Sequence, residues 1–323
     1  MTAQASPASI PQAEPLMAAI TSFLSGQDPA RVSEIRAALD REIAVAGPRA
    51  IAGLTRRLRD EADTWDYHPP DPLARRIHHV IADRLLADGS GFDGAEYVAE
   101  IAKRPVVVFA NHLSYSDANL LEILLNRYGA ASLADRLTAI AGPKIYTSQS
   151  RRFSSLCYGT VRTPQNSGVA SEEAVMTPRD VARAAQHSIG VSCERLRLGD
   201  ALLLFAEGTR SRDFGMQPLL TGAARYLDVP GTQVLPIGLV GTEAMFPVGE
   251  GVFRAVPVTA RAGQPIDVHR LRDAADGNRR LLMDAIGVAI ADLLPVAYRG
   301  VYGGDTADVA DARRVLDGAL RQV

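Results

Sequence analysis

The spacing of apolar residues changes once along the chain. In roughly the first ninety residues they recur at the three-to-four interval of helices that hide one face. Asp28 stands where a cap is needed for a helix over 29–46, and Gly47 supplies its stop. Pro48 suits the first turn of a second helix over 48–63. A third, over 71–87, sets Ile77, Val80, Ile81 and Leu85 on one face, and a weaker one covers 14–24. The run His68-Pro69-Pro70-Asp71-Pro72 breaks helices and is a candidate hinge. Past Lys103 short continuous apolar runs take over, as in strands covered on both faces. Strands are predicted at 105–110, 137–141, 202–205 and 234–240, with an edge-like alternation at 256–261. Helices are predicted between and after them at 117–128, 178–198 and 278–294. Pro236 inside its run points to an edge or a bulge. The pattern predicts an α/β fold, a mixed central sheet flanked by helices and preceded by a small helical N-terminal domain. The expected division is a disordered lead-in at 1–13, the helical domain at 14–90 and the α/β domain at 91–323.

Composition narrows the class. Of 323 residues 47% are apolar and 22% charged, which argues against a mainly disordered chain. Lys and Arg number 35 against 37 Asp and Glu, so no global field favours nucleic acid. Two cysteines, Cys157 and Cys193, cannot form a disulfide framework and fit a reducing compartment. The N-terminal stretch lacks the basic residue and apolar block of a signal peptide. The most apolar helical stretch, 281–296, carries Asp284 and Asp292 and reads as a packed helix rather than a membrane span. A cytoplasmic protein is expected, with transient peripheral docking on a membrane left open. Candidate docking residues are Arg56, Arg57, Arg59, Arg75 and Arg76.

Four stretches carry candidate chemistry. Asn111-His112-Leu113-Ser114-Tyr115-Ser116-Asp117 lies where a strand gives way to a helix, the usual ligand position in α/β sheets. Ser116 is placed to cap that helix, and the five-residue gap brings the Asp117 carboxylate toward the His112 imidazole. An imidazole so held keeps one nitrogen to accept a proton near neutral pH. A capped turn with a satisfied histidine is the plainer alternative. Phe205-Ala206-Glu207-Gly208-Thr209-Arg210-Ser211-Arg212-Asp213 also follows a buried strand. Arg210 and Arg212 offer forks that match phosphate oxygens, unless they pair with Glu207 and Asp213. Lys144, Arg151, Arg152 and Arg162 gather positive charge between them, with Arg162 singled out after a short apolar step. The run from Val234 to Glu243, around Pro236 and Ile237, is either structural or the lining of an apolar channel.

Taken in order, these stretches resemble the four sequence blocks of the glycerolipid acyltransferases. The resemblance covers residues 104–263 and rests on N-H-x-x-x-x-D and F-x-E-G-T-R-S-R, 95 residues apart from His112 to Glu207. It implies that His112 is the general base and Asp117 its orienting partner. It implies that Glu207, Gly208, Thr209, Arg210 and Arg212 form the acceptor site, with Arg210 and Arg162 on the phosphate, and that Pro236 and Ile237 lie near the acyl donor. Ala206 replaces the proline or isoleucine often found in the family, and Val161 replaces the acidic residue before the second-block arginine. The Glu207–Ser211 block looks like the bacterial lysophosphatidate enzymes. The helical N-terminus and Ala141-Gly-Pro-Lys-Ile-Tyr-Thr147 look like the chloroplast-type glycerol-3-phosphate enzymes. The implied activity is O-acyl transfer from acyl-CoA or acyl-carrier protein to 1-acylglycerol 3-phosphate or glycerol 3-phosphate, in phospholipid biosynthesis. The implied site holds no metal and no cofactor beyond the thioester co-substrate. A non-phosphorylated acceptor in specialised lipid synthesis, and a non-catalytic lipid-binding protein, are the competing expectations.

Overall fold

The computed structural model describes residues 16–17, 28–59, 65–146, 149–164, 176–245 and 254–321. The lead-in and most of the weak helix at 14–24 lie outside these residues, apart from the helical pair Leu16 and Met17. The first long helix, α1 (Pro29–Arg59), bends where Gly47 takes φ 76° and ψ 169°, so the expected stop and restart survive as a kink. Its first turn is capped by Asp28, whose Oδ1 accepts from the Ala30 N–H at 3.1 Å. In α2 (Pro72–Leu85) the Asp71 carboxylate accepts from the Leu73 and Ala74 amides at 2.9 and 3.1 Å. Asp71 therefore satisfies two donors that Pro72, lacking an N–H, leaves next in line.

A mixed sheet of nine strands runs through the described residues. The strands are β1 (Tyr67–His68), β2 (Gly91–Asp93), β3 (Val106–Ala110), β4 (Leu137–Ala141), β5 (Gly159–Arg162), β6 (Ala201–Leu204), β7 (Gln233–Val240), β8 (Thr259–Ala262) and β9 (Ile266–Asp267). Their order is β1-β5-β4-β6-β3-β7-β8-β2, with β9 also on β7. β3, the central apolar run, pairs in parallel with β6 and β7, while β8 and β9 pair antiparallel with β7. All five β3 residues are buried, because helices cover both faces. Val106, Val108 and Ala110 join one apolar cluster with Ile35, Leu39, Ile77 and, from α3 (Asp117–Arg127), Leu121 and Leu124. Val107 and Phe109 point the other way. They meet Leu196 of α5 (Pro178–Arg197), Ile286 of α6 (Arg279–Ala291) and Leu316 of α7 (Ala307–Leu320). Each such side chain taken out of water stabilises the fold by about 1.5–3 kcal/mol. A short helix, α4 (Gln149–Ser155), lies between β4 and β5.

Two expectations of a sheet edge fail. β7 is interior, between β3 and β8, although it contains Pro236. The Pro236 carbonyl accepts from the Gly263 N–H at 2.9 Å, so its imino nitrogen faces the same flank. On that flank β9 pairs Gln233 and Val234, and β8 resumes only at Ile237. The missing donor falls in the gap between two partner strands, where no ladder bond is due. Nor is β8 an edge, since β2 adds beside it in parallel. The short strands β1, β2 and β9, and the polar helix α7, have too little apolar periodicity to be read from the sequence.

Candidate active site

The ends of β3, β6 and β7 are stitched together by side chains around His112. Asn111 donates to the Leu239 carbonyl at 3.0 Å and accepts from the Leu239 N–H at 2.7 Å, clasping β3 to β7. The His112 N–H donates to Glu207 Oε1 at 2.8 Å, and its carbonyl accepts from the Ser211 N–H at 2.8 Å. The imidazole stacks on Phe205, with centroids 4.4 Å apart and planes 20° from parallel. Backbone and ring are thus held by the loop after β6, residues 205–211.

Asp117 completes the pair. Its Oδ2 lies 2.8 Å from His112 Nδ1. A carboxylate only accepts, so Nδ1 carries the hydrogen and Nε2 keeps its lone pair. Asp117 is wholly buried, and its charge is satisfied on every side. Oδ2 also accepts from the Leu113 N–H at 2.7 Å, both oxygens take the Ser114 N–H at 3.0 Å, and Oδ1 takes the Thr242 hydroxyl at 2.6 Å. Such a saturated carboxylate fixes the loop and the ring together. The expected cap by Ser116 does not form: its side chain makes no capping bond. Asp117 turns back onto the loop instead, and the Ser116 N–H goes to Ser114 Oγ at 3.0 Å.

The second block divides into buried and open parts. Glu207 is buried, and its oxygens accept from the His112 and Gln217 amides at 2.8 and 2.7 Å. Burial pushes its carboxyl up to about 7, against the opposing pull of those two amides. Both oxygens of the carboxylate expected at the acceptor site are thus taken by backbone amides, one of them that of His112. Gly208 turns at φ 74°, and a Cβ there would meet the Leu220 side chain at 2.6 Å. Thr209 and Arg212 are exposed. Arg210 is half-buried and pairs with neither Glu207 nor Asp213; its guanidinium carbon lies 3.7 Å from the centroid of the Tyr115 ring. Arg151 approaches the same ring at 4.3 Å.

The other predicted residues are spread around this centre. Arg162, at the end of β5, lies over Trp65 and Tyr146 at 4.7 and 5.1 Å. Arg152 ties α4 down by donating to the Leu58 and Tyr146 carbonyls. Pro236 and Ile237 are buried in the sheet, with Ile237 opposite Ala110, one residue before Asn111. Arg57, Arg75 and Arg76 are engaged within the chain, by Asp71, by Glu122 and Asp135, and by Glu42. Of the expected basic docking patch, Arg56, Arg59 and Arg76 are exposed to solvent. Sequence reasoning assigned no role to Thr242, Gln217, Tyr115 or Phe205. Their neighbours in the motifs were the available signal, but nothing in the spacing says which side chain turns inward.

Comparison with known proteins finds similarity over part of the chain. The family model described as Acyltransferase matches residues 90–240. A chloroplastic 1-acyl-sn-glycerol-3-phosphate acyltransferase of Arabidopsis thaliana is 26% identical over 204 residues, 61% of this chain and 50% of that protein. The chain thus spans about half the length of the curated relative it matches. The crystal structure of the 1-acyl-sn-glycerophosphate acyltransferase PlsC from Thermotoga maritima is 16% identical, with a TM-score of 0.46 over 86% of this chain and 92% of that one. The stretch similar to the Acyltransferase family model, 90–240, is the one that holds the buried His112–Asp117 pair and the Glu207–Arg210 loop.

Proposed function

We propose that the protein is an O-acyltransferase. It moves a fatty acyl group from an acyl-CoA or acyl-carrier-protein thioester to the hydroxyl of a glycerol-phosphate-type acceptor, 1-acylglycerol 3-phosphate or glycerol 3-phosphate. The observation that carries this reading is the 2.8 Å contact of His112 Nδ1 with the buried Asp117, which leaves Nε2 as a base. The acceptor O–H gives its proton to Nε2 while its oxygen attacks the thioester carbon. The carbonyl opens to a tetrahedral oxyanion, which collapses and expels the thiolate. The imidazolium returns its proton to that sulfur, so an ester and a free thiol are formed. Asp117 stabilises the imidazolium between these steps. A cysteine-bound acyl intermediate is disfavoured, because burial of Cys157 and Cys193 pushes both thiols up and keeps them protonated. The phosphorylated acceptor is supported by the half-buried Arg210 over Tyr115, in the loop between His112 and Asp117, and by the name of the Arabidopsis relative.

The test is thiol release from acyl-CoA by the purified protein with glycerol 3-phosphate, lysophosphatidate and their unphosphorylated counterparts. His112→Ala is expected to lower turnover roughly a hundred- to ten-thousandfold without changing Tm. Wild-type transfer by that variant refutes the base assignment. Equal use of plain and phosphorylated alcohols moves the protein to the other acceptor class. Among the described residues no helix is long and apolar enough to cross a membrane. The acylated product is poorly soluble in water, which fits transient contact with a membrane surface; vesicle flotation tests it.

A further inference from the structure

We propose that Tyr298 is a positioning residue for the transfer reaction, tying the turn that supports Asp117 to the loop that holds the His112 amide. The inference deepens the reading above and rests on it. Tyr298 ends a short helical turn, Val296–Tyr298, that comes after α6. Its hydroxyl donates to Glu243 Oε1 at 2.5 Å, and its carbonyl accepts from the Met216 N–H at 3.0 Å. Each of these partners is the chain neighbour of a residue that supports the base. Glu243 follows Thr242, whose hydroxyl donates to Asp117 Oδ1 at 2.6 Å. Met216 precedes Gln217, whose amide donates to Glu207 Oε2 at 2.7 Å, while Glu207 Oε1 takes the His112 amide at 2.8 Å. One support comes after β7 and the other after β6, on opposite sides of β3.

The surroundings hold this link in one geometry. Among the described residues Tyr298 is the one half-buried side chain that packs against the apolar clusters on both faces of the sheet. Its ring also meets Phe214, with centroids 5.8 Å apart. Burial, and after it the Glu243 carboxylate, pushes the phenol up against the opposing pull of the Gly241 amide, so the hydroxyl keeps its hydrogen and donates. Glu243 Oε2 is buried and has no hydrogen-bond partner among the described residues, so the carboxylate is oriented through Tyr298. A short bond to a charged group sets direction as well as distance. The helix that carries Thr242 and Glu243, Thr242–Met245, is a single turn, too short to hold itself. Released from Tyr298, that turn can carry the Thr242 hydroxyl away from Asp117, and a misplacement of about 1 Å can cost on the order of a hundredfold in rate.

The experiment compares Tyr298→Phe, Glu243→Ala, Glu243→Gln, Thr242→Val and the double variant of Tyr298→Phe with Thr242→Val. It uses steady-state thiol release from acyl-CoA with glycerol 3-phosphate and with lysophosphatidate, well below the Tm of each variant. Tyr298→Phe is expected to lower kcat roughly five- to thirtyfold, with the acceptor and acyl-CoA KM within about twofold. Glu243→Ala should match it. Glu243→Gln should recover most of that loss, because its amide oxygen still accepts from the phenol. The double variant should fall little below Thr242→Val alone, since both changes cut the same link. Three results overturn the inference while the proposed function stands: a lowered Tm with unchanged kcat in Tyr298→Phe, a raised KM without a fall in kcat, or losses from Tyr298→Phe and Thr242→Val that multiply. If the wild type releases no thiol with any acceptor, the functional reading fails and this role with it.

Discussion

Replacing Asp117 by Asn separates two jobs that a carboxylate beside an imidazole performs. The amide keeps one acceptor oxygen and turns the other into a donor. An NH2 at the Oδ2 position would face three donors: His112 Nδ1 and the Leu113 and Ser114 amides. The two backbone donors cannot rotate away. At the Oδ1 position it faces the Ser114 amide, which retains its other acceptor, and the Thr242 hydroxyl, which can rotate to accept. The second orientation wins, so the oxygen still faces Nδ1 and the tautomer is preserved. What disappears is the charge. A bond from imidazolium to a carboxylate contributes about 1.5–3 kcal/mol and one to a neutral oxygen about 0.5–1.5. The variant therefore forfeits roughly 1–2 kcal/mol in the transition state, a fall in kcat of about five- to thirtyfold. The opposite orientation would leave Nε2 protonated and cost on the order of ten-thousandfold, as tautomer inversion does in serine-protease triads. The assay is thiol release at saturating donor and acceptor. Adding Thr242→Val removes the only group that tolerates the NH2 at that position, and a further loss is expected in the double variant. A ten-thousandfold fall in Asp117→Asn alone, or no additional effect of Thr242→Val, refutes this account of the carboxylate's surroundings.

Three further outcomes follow from the same contacts. Burial raises the Glu207 carboxyl to about 7 from its ordinary 4.5, so the folded chain binds that proton more tightly than the unfolded one. Its contribution is fully present below about 4.5 and lost as pH rises through about 7. The stability of wild type relative to Glu207→Gln should thus fall by about 3 kcal/mol between pH 4 and pH 8, read from urea titrations at each pH. Asn111→Ala strands the buried N–H and C=O of Leu239 and should cost roughly 2–4 kcal/mol in the same assay; a change below 1 kcal/mol would show that water replaces the clasp. Gly241 sits at φ 93°, and an added Cβ collides with the Pro257 carbonyl oxygen, so Gly241→Ala should lower Tm and displace Thr242, reducing kcat as well. Lowered Tm with full kcat would separate that turn from the carboxylate's support.

Whatever depends on near neighbours along the chain is legible without its fold. A continuous apolar run such as 106–110 has no solvent-facing residue, so it belongs between two layers of helices whatever the topology. Asp28 announces its helix because capping acts within three residues. The His112–Asp117 pair is legible as a candidate for the same reason: five residues across one strand-to-helix turn put the two side chains within reach, though a capped turn reads as well from spacing alone. Even the sheet class follows from the alternation of strands and helices. Strand order is another matter, and it decided the rest. Thr242 reaches Asp117 across 125 residues only because β7 lies beside β3. Glu207 reaches the His112 amide because β6 lies on the other side of β3. A carboxylate in a motif reads equally well as a ligand contact or as a brace, and only the packed layers bring the Glu207 oxygens onto the His112 and Gln217 amides. Likewise a proline in a strand reads as an edge until the neighbours are known, and Pro236 is interior because two partner strands part just where its N–H is missing. Contacts such as those of Tyr115 with Arg151 and Arg210 are set by where three separate segments converge, and no spacing along one chain encodes that convergence.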